Sequence, residues 1–335
     1  MLLQAAAIAV GRLLNLHPLA IFFAARIVNG LTAVAISCIA IRLAGCSALV
    51  FFVLLCFPMS VHQMGSLSAD ATMIPLSLLL ASLSFLPGID PTTGKKKYVW
   101  LAVVLALLAQ TRFPLLGLIP LLWLPAWKRV KTPITTSFMF CATSAACLFF
   151  LSWFLYVAHL KLPMRADLAG TMGPRVEALV QDPLSFFQLL SHTVEIYWQS
   201  YLHCMVGVLG WLDSPIPVQA AHIGELALVA AFAYGCMHKT TFDWRDRIIT
   251  LGTVLTVFVG MQLVFHLSWS PVGSTAIQGF QGRYFLTFIG PLVVPLSASR
   301  SMKIARPVFF WSAFIGAAGC LASLPYTLMC RFYLQ

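Results

Sequence analysis

Long apolar runs alternate with short polar or basic interruptions along the whole chain. Ten runs can be drawn, at residues 19–42, 47–63, 72–88, 98–111, 114–127, 133–160, 218–237, 247–268, 284–298 and 306–328. A run of about 18 or more apolar residues is long enough, at ~1.5 Å rise per residue, to cross a ~30 Å hydrocarbon core as a helix. The pattern predicts an all-α, polytopic integral membrane protein with about ten transmembrane or half-membrane helices, forming one membrane domain over residues 1–335. The runs 98–111 and 114–127 are short for a span. They meet at Thr111-Arg112-Phe113-Pro114, where the proline disfavours helix at the residue before it. Residues 98–127 therefore read as a hairpin of two short helices. The connection 161–217 is too long for a simple turn. Its stretch LVQDPLSFFQLLSHTVEIYWQSYLHCM has the apolar spacing of one or two amphipathic helices at a membrane interface. GVLGWLDSPIP follows, with Gly210, Pro215 and Pro217 as breakers and Trp211 as an interfacial anchor.

Composition agrees with this pattern. Hydrophobic residues make up 60% of the chain and charged residues 9%, against roughly a quarter charged in soluble domains; mean hydropathy is +0.90. The net charge of +11 does not point to nucleic acid, because the basic residues lie in short clusters between apolar runs. The positive-inside bias assigns Lys95-Lys96-Lys97, Lys128/Arg129/Lys131, Lys239/Arg245/Arg247 and Arg300/Lys303/Arg306 to the cytoplasmic side together. That orientation gathers His62, Asp70, Arg112, the 161–217 connection and the 269–283 loop on the opposite, extracytoplasmic face. The nine cysteines show no paired metal-ligand spacing, and most sit within apolar runs as small hydrophobes. No cofactor is expected, and a divalent-metal requirement stays open.

Several polar residues ask for an explanation. Asp70, in HQMGSLSADATMIP, either caps a helix start or is a functional carboxylate, with Arg112 as its partner by side and depth. Arg112 lies at a break between two half-length helices. Such breaks occur where freed backbone lines a polar cavity, and a guanidinium there suits a phosphate or pyrophosphate. Arg283, in QGFQGRYF, has Gln278, Gln281 and Tyr284 as neutral partners, while Gly279 and Gly282 permit close backbone approach. Its alternative is an interfacial Arg/Tyr anchor at a helix start. Asp213 either caps a turn or is a second buried carboxylate. His62, His192 and His203 share the outer face without metal spacing, and Arg26 and Glu225, inside apolar runs, need partners.

These residues sit within a longer pattern: AARIVNGLTAVAISCIAIRLA, FPMSVHQMGSLSADATMIPLSLLLASLSF, KKKYVWLAVVLALLAQTRFPLLGLIPLLWLP, GVLGWLDSPIP and QGRYFLTFIGPLVV, in that order. In this the chain resembles the bacterial membrane family catalogued as domain of unknown function 2142, which is similar to C-type (GT-C) membrane glycosyltransferases. The resemblance implies a GT-C-like fold in the bacterial inner (cytoplasmic) membrane. It also implies transfer of a sugar, with inversion, from a polyprenyl-phosphate donor to a cell-envelope glycan or lipid on the extracytoplasmic face. Asp70 matches the family's acidic residue, and Asp213 is the second candidate catalytic carboxylate. Arg283 matches the arginine of the GRYF-like element and, with Arg112, is the phosphate-binding candidate. Gln281, Tyr284 and His62 are expected as polar cavity residues. Family members begin with a further helix and an acidic first loop, so the resemblance also implies a chain shortened at its N-terminus. Ser68-Ala69 stands where the family often shows Asn-Pro. A transporter or flippase of lipid-linked glycan and an inactive, shortened membrane protein are the competing readings.

Overall fold

Small residues falling on one face of long apolar helices set the architecture. The computed structural model describes residues 2–85, 91–123, 133–159, 172–210, 212–238, 244–293 and 306–334. In chain order the helices are α1 (Leu2–Leu13), α2 (Pro18–Leu43), α3 (Ala48–Cys56), α4 (Pro58–Met64), α5 (Asp70–Phe85), α6 (Pro91–Thr111), α7 (Pro133–His159), α8 (Met172–Gln181) and α9 (Pro183–Gly207). They continue as α10 (Val218–Cys236), α11 (Trp244–Ser268), α12 (Gly290–Val293) and α13 (Arg306–Phe332). Tight 3₁₀ segments form at Phe113–Leu118 and Gly282–Thr287. Among the described residues the fold is all-α apart from two short paired strands, Val208–Leu209 and Ser214–Pro215.

The buried residues of α2 are Ala25, Asn29, Ala33, Ser37 and Ala40, recurring every three or four positions along one face. Its outer face carries Leu19, Ile27, Leu31 and Val34. The same arrangement governs the extensive pairing of α10 with α13: Ala227 and Ala231 face Ala313 and Ala317, while Leu226, Val229, Val308 and Ile315 point outward. A water-soluble bundle does the reverse. Large apolar side chains outside and small ones inside suit helices in lipid, where close backbone packing rather than exclusion of water drives association.

Among the described residues, α2, α10, α11 and α13 are long and apolar enough to cross a membrane. Fewer of the ten apolar runs meet that test among the described residues, and those at 47–63 and 72–88 differ for local reasons. The run 47–63 is bent by 74° between α3 and α4, where Phe57 adopts an extended backbone before Pro58, and it adds a fifth span only if the pair counts as one. The run 72–88 is the 16-residue helix α5, enclosed by its neighbours along most of its length. Its hydroxyls are satisfied inside the protein: Ser82 Oγ donates to Ala40 O of α2 at 2.8 Å. The run expected at 284–298 opens as the 3₁₀ segment Gly282–Thr287, followed by α12. Residues 294–305 lie outside the described residues, as do Trp211, Lys239 and the basic cluster at 128–131.

The 161–217 connection contains α8 and α9, with Asp182 capping α9 by accepting from the amides of Leu184 and Ser185. Helix α9 buries Phe186, Leu190, Thr193, Tyr201 and Met205 at helical spacing and packs along the Gly282–Thr287 segment. That contact needs Gly282. A Cβ there would collide with the Tyr201 carbonyl and come within 2.7 Å of the Met205 nitrogen. Gly279, at φ +90°, is the second constrained glycine, and a side chain on it would run into the Trp269 indole.

Gly282→Ala is expected to destabilise the purified protein in detergent by about 1–3 kcal/mol, the usual cost of forcing extra volume against packed backbone. Gly252→Ala on the open face of α11 meets nothing within 4 Å and should be neutral or stabilising by up to ~1 kcal/mol. Thermal unfolding of the two variants compares them directly.

Candidate functional site

The polar centre is built from the α4–α5 loop outward. On α2, Arg26 Nε donates to Gly65 O at 2.7 Å and Asn29 Nδ2 donates to Ser66 O at 2.6 Å. Gln4 Nε2 in turn donates to Asn29 Oδ1 at 3.1 Å. Within the loop, Ser66 Oγ donates to Gln63 O and Ser68 Oγ to Gln63 Oε1. Arg26, which lacked a partner in the sequence, thus pins the loop that presents Asp70. The first turn of α5 closes on the Ala69 carbonyl, which accepts from the amides of Thr72 and Met73. The Asp70 carboxylate faces two arginines instead.

Arg112 Nη2 donates to Asp70 Oδ1 at 2.6 Å, and Arg283 Nε stands 3.7 Å from Asp70 Oδ2. The side chains of Asp70, Arg112 and Arg283 are 6%, 20% and 22% exposed. Arg112 occupies the break between α6 and the Phe113–Leu118 segment, in extended conformation, one residue earlier than the proline rule alone places it. Arg283 belongs to the Gly282–Thr287 segment, whose tight turn carries it and Tyr284 towards Asp70 together. The Arg112 guanidinium lies 4.0 Å from the centre of the Tyr284 ring and the Arg283 guanidinium 5.3 Å. Tyr284 stacks on Phe265 of α11 at 5.4 Å. Tyr284 therefore serves through its ring face, a cation–π contact, rather than as the neutral hydrogen-bonding partner expected from its hydroxyl.

One carboxylate against two guanidiniums leaves the cluster with one net positive charge. Burial pushes the nearby Cys204 thiol and Tyr201 phenol up from their ordinary values, so neither contributes an opposing anion. Arg283 Nε is sealed from solvent and makes no hydrogen bond. A sealed donor without an acceptor, in a net cationic cluster, is suited to an anion.

The other candidates are placed differently. Asp213 pairs with Arg331 of α13 at 3.1 Å, with both side chains more than two-fifths exposed, and accepts from Ser214 Oγ at 3.2 Å. It neutralises a different arginine. His62 on α4 lies within the fields of Arg26, Arg283 and Asp213, and its Nδ1 is buried without a partner. Gln281 is half-buried and starts the Gly282–Thr287 segment. The Glu225 carboxylate stands 3.1 Å from His222 Nδ1, and His192 stands 3.8 Å from Glu195. Among the described residues no group of three or more His, Cys, Asp or Glu could hold a metal ion. Sequence reasoning missed Arg175 and His266, which meet across α8 and α11. An arginine within an amphipathic helix gives no signal of such a partner.

Removing one member of a buried ion pair leaves the other charge uncompensated, at a cost of roughly 3–5 kcal/mol. Arg112→Gln is expected to approach that cost in thermal unfolding. Arg283→Gln should cost less, because its contact with Asp70 is longer and is not a hydrogen bond. The reverse order would show that Arg283 is the main counter-ion.

The sequence profile of a family described as "Predicted membrane protein (DUF2142)" matches residues 1–292. No curated protein and no solved structure matches the chain. With apolar helices of spanning length and a family match over most of its residues, the chain belongs to the DUF2142 family of membrane proteins.

Proposed function

We propose that this protein is a glycosyltransferase of the C-type membrane class, taking a sugar from a polyprenyl-phosphate donor and passing it to an envelope glycan or lipid. The observation that carries the proposal is the Asp70–Arg112–Arg283 cluster, with its residual single positive charge and the unsatisfied Arg283 Nε. A polyprenyl-phosphate sugar is a phosphodiester and carries one negative charge, which matches. The proposal includes a GT-C-like arrangement of about ten membrane and half-membrane helices, residence in a bacterial inner membrane and chemistry on the extracytoplasmic face.

In this reading Asp70 holds the two guanidiniums in place until the donor phosphate takes them over. Its carboxylate is then free to accept the proton of the acceptor hydroxyl. The acceptor oxygen attacks the anomeric carbon from the opposite face as the bond from that carbon to the phosphate oxygen breaks. The bond electrons leave on the phosphate, and the dianionic polyprenyl phosphate is stabilised by Arg112 and Arg283. Asp213, already paired with Arg331, takes no part in this step.

Membranes containing the protein should transfer labelled sugar from a panel of polyprenyl-phosphate hexoses to envelope acceptors. Arg112→Gln and Arg283→Gln should each lower the rate by about 10²-fold or more, and Asp70→Asn by about 10²–10⁴-fold. Rates equal to wild type in all three variants would dismiss these roles. Lipid-linked sugar crossing proteoliposomes without being transferred would replace the enzyme with a transporter.

A further inference from the structure

A second polar site lies where α8 meets the end of α11 and shares no residue with the Asp70 cluster. A cleft of about 240 Å³ opens there. Arg175, Ser185, His266 and Ser274 line it together with Leu179 and Phe186. Arg175 Nη1 donates to His266 O at 2.7 Å, which satisfies a carbonyl in the last turn of α11. That bond accounts for one arm of the guanidinium only. Arg175 Nη2 and His266 Nδ1 are both shut off from solvent and have no hydrogen-bond partner.

Arg175 Nη2, together with His266 Nδ1 in the tautomer that carries its proton there, calls for an acceptor that both can reach. The serine hydroxyls of the cleft, Ser185 and Ser274, do not supply it, since neither is within hydrogen-bond reach of the two nitrogens; Ser185 Oγ donates to Asp182 O and Ser274 Oγ to Ala276 O. Among the described residues no acidic side chain lines the cleft. Glu177, on the same helix as Arg175, is exposed and accepts from Gln181, and the Asp182 carboxylate is spent on capping α9. The cleft therefore offers a fixed cation and a second ring nitrogen to an anion, with an apolar wall beside them.

The outer surface of these helices indicates where the anion comes from. Met172, Val176 and Val180 recur every fourth residue on α8 and are exposed, and Leu184 and Phe187 extend the apolar strip onto α9. A strip of this kind on an amphipathic helix lies on a bilayer surface. It would set the cleft at headgroup level.

We infer that the Arg175–His266 cleft binds the phosphate group of an amphiphilic phosphate ester, with the guanidinium and the imidazole on the phosphate and the Leu179 and Phe186 side on its organic part. The site is separate from the Asp70 cluster and does not depend on the enzymatic reading.

The purified full chain in detergent is titrated calorimetrically with dihexanoyl phosphatidic acid, dihexanoylglycerol and inorganic phosphate. Wild type should bind the phosphatidic acid and not the dihexanoylglycerol. Arg175→Gln should weaken binding at least tenfold, Arg175→Lys should restore part of it, and Gly252→Ala, on the open face of α11, should leave it within twofold of wild type. Inorganic phosphate binding as tightly as the lipid would support the anion site and identify a free phosphate as its ligand. Unchanged affinity in Arg175→Gln, or binding lost in Arg283→Gln and kept in Arg175→Gln, would overturn the inference. Should Arg175→Gln fail to fold, His266→Gln decides: at least a threefold loss supports the site and no change refutes it.

Discussion

A carboxylate buried to 6% exposure must be compensated by charge, and Asp70 obtains that compensation from residues far away in the chain. Withdrawing an ion from water costs several kcal/mol even after relaxation, and only close, well-directed partners offset it. Arg112, 42 residues on, provides the close hydrogen-bonded partner, and Arg283, from another element altogether, adds a longer ion pair. The start of α5, the break after α6 and the Gly282–Thr287 turn are consequently held at one point. Tyr284 and Phe265 tie α11 to the same centre through ring contacts. Around it the helices present large apolar side chains outward.

The ion cluster and the inside-out packing depend on each other. Helices that meet through alanine and glycine approach closely but offer few polar groups to fix their register. Asp70 and its arginines, with Arg26 and Asn29 bonded to the Gly65 and Ser66 carbonyls, supply that register on one side of the bundle. The same features that position the helices leave a cationic excess in a sealed environment. The structural role and the proposed anion-binding role thus fall on the same atoms.

Much of this was legible in the sequence, and the remainder was hidden for physical reasons. The helices α2, α10, α11 and α13 appear as long apolar runs because length and apolarity alone identify a spanning helix. The pairing of Asp70 with Arg112 followed from placing both on one side of the membrane. The bend at Phe57 and the 3₁₀ form of Gly282–Thr287 did not follow, because apolar composition all round an element hides its periodicity. In QGRYF the arginine looked like the start of a span. It lies instead in a turn pressed against α9, a contact that only the missing side chain of Gly282 hinted at. Asp213 was open as a turn cap or a second buried carboxylate, and its partner Arg331 lies 118 residues away, beyond any local signal.

The most direct test of the central claim is the equilibrium affinity of a short polyprenyl phosphate, such as farnesyl phosphate, for wild type and for Asp70→Asn, Arg112→Gln and Arg283→Gln. If Asp70 is the resident counter-ion that an incoming phosphate displaces, Asp70→Asn binds more tightly than wild type, while both arginine variants bind more weakly. Weaker or unchanged binding in Asp70→Asn, with arginine variants that bind like wild type, would contradict the account.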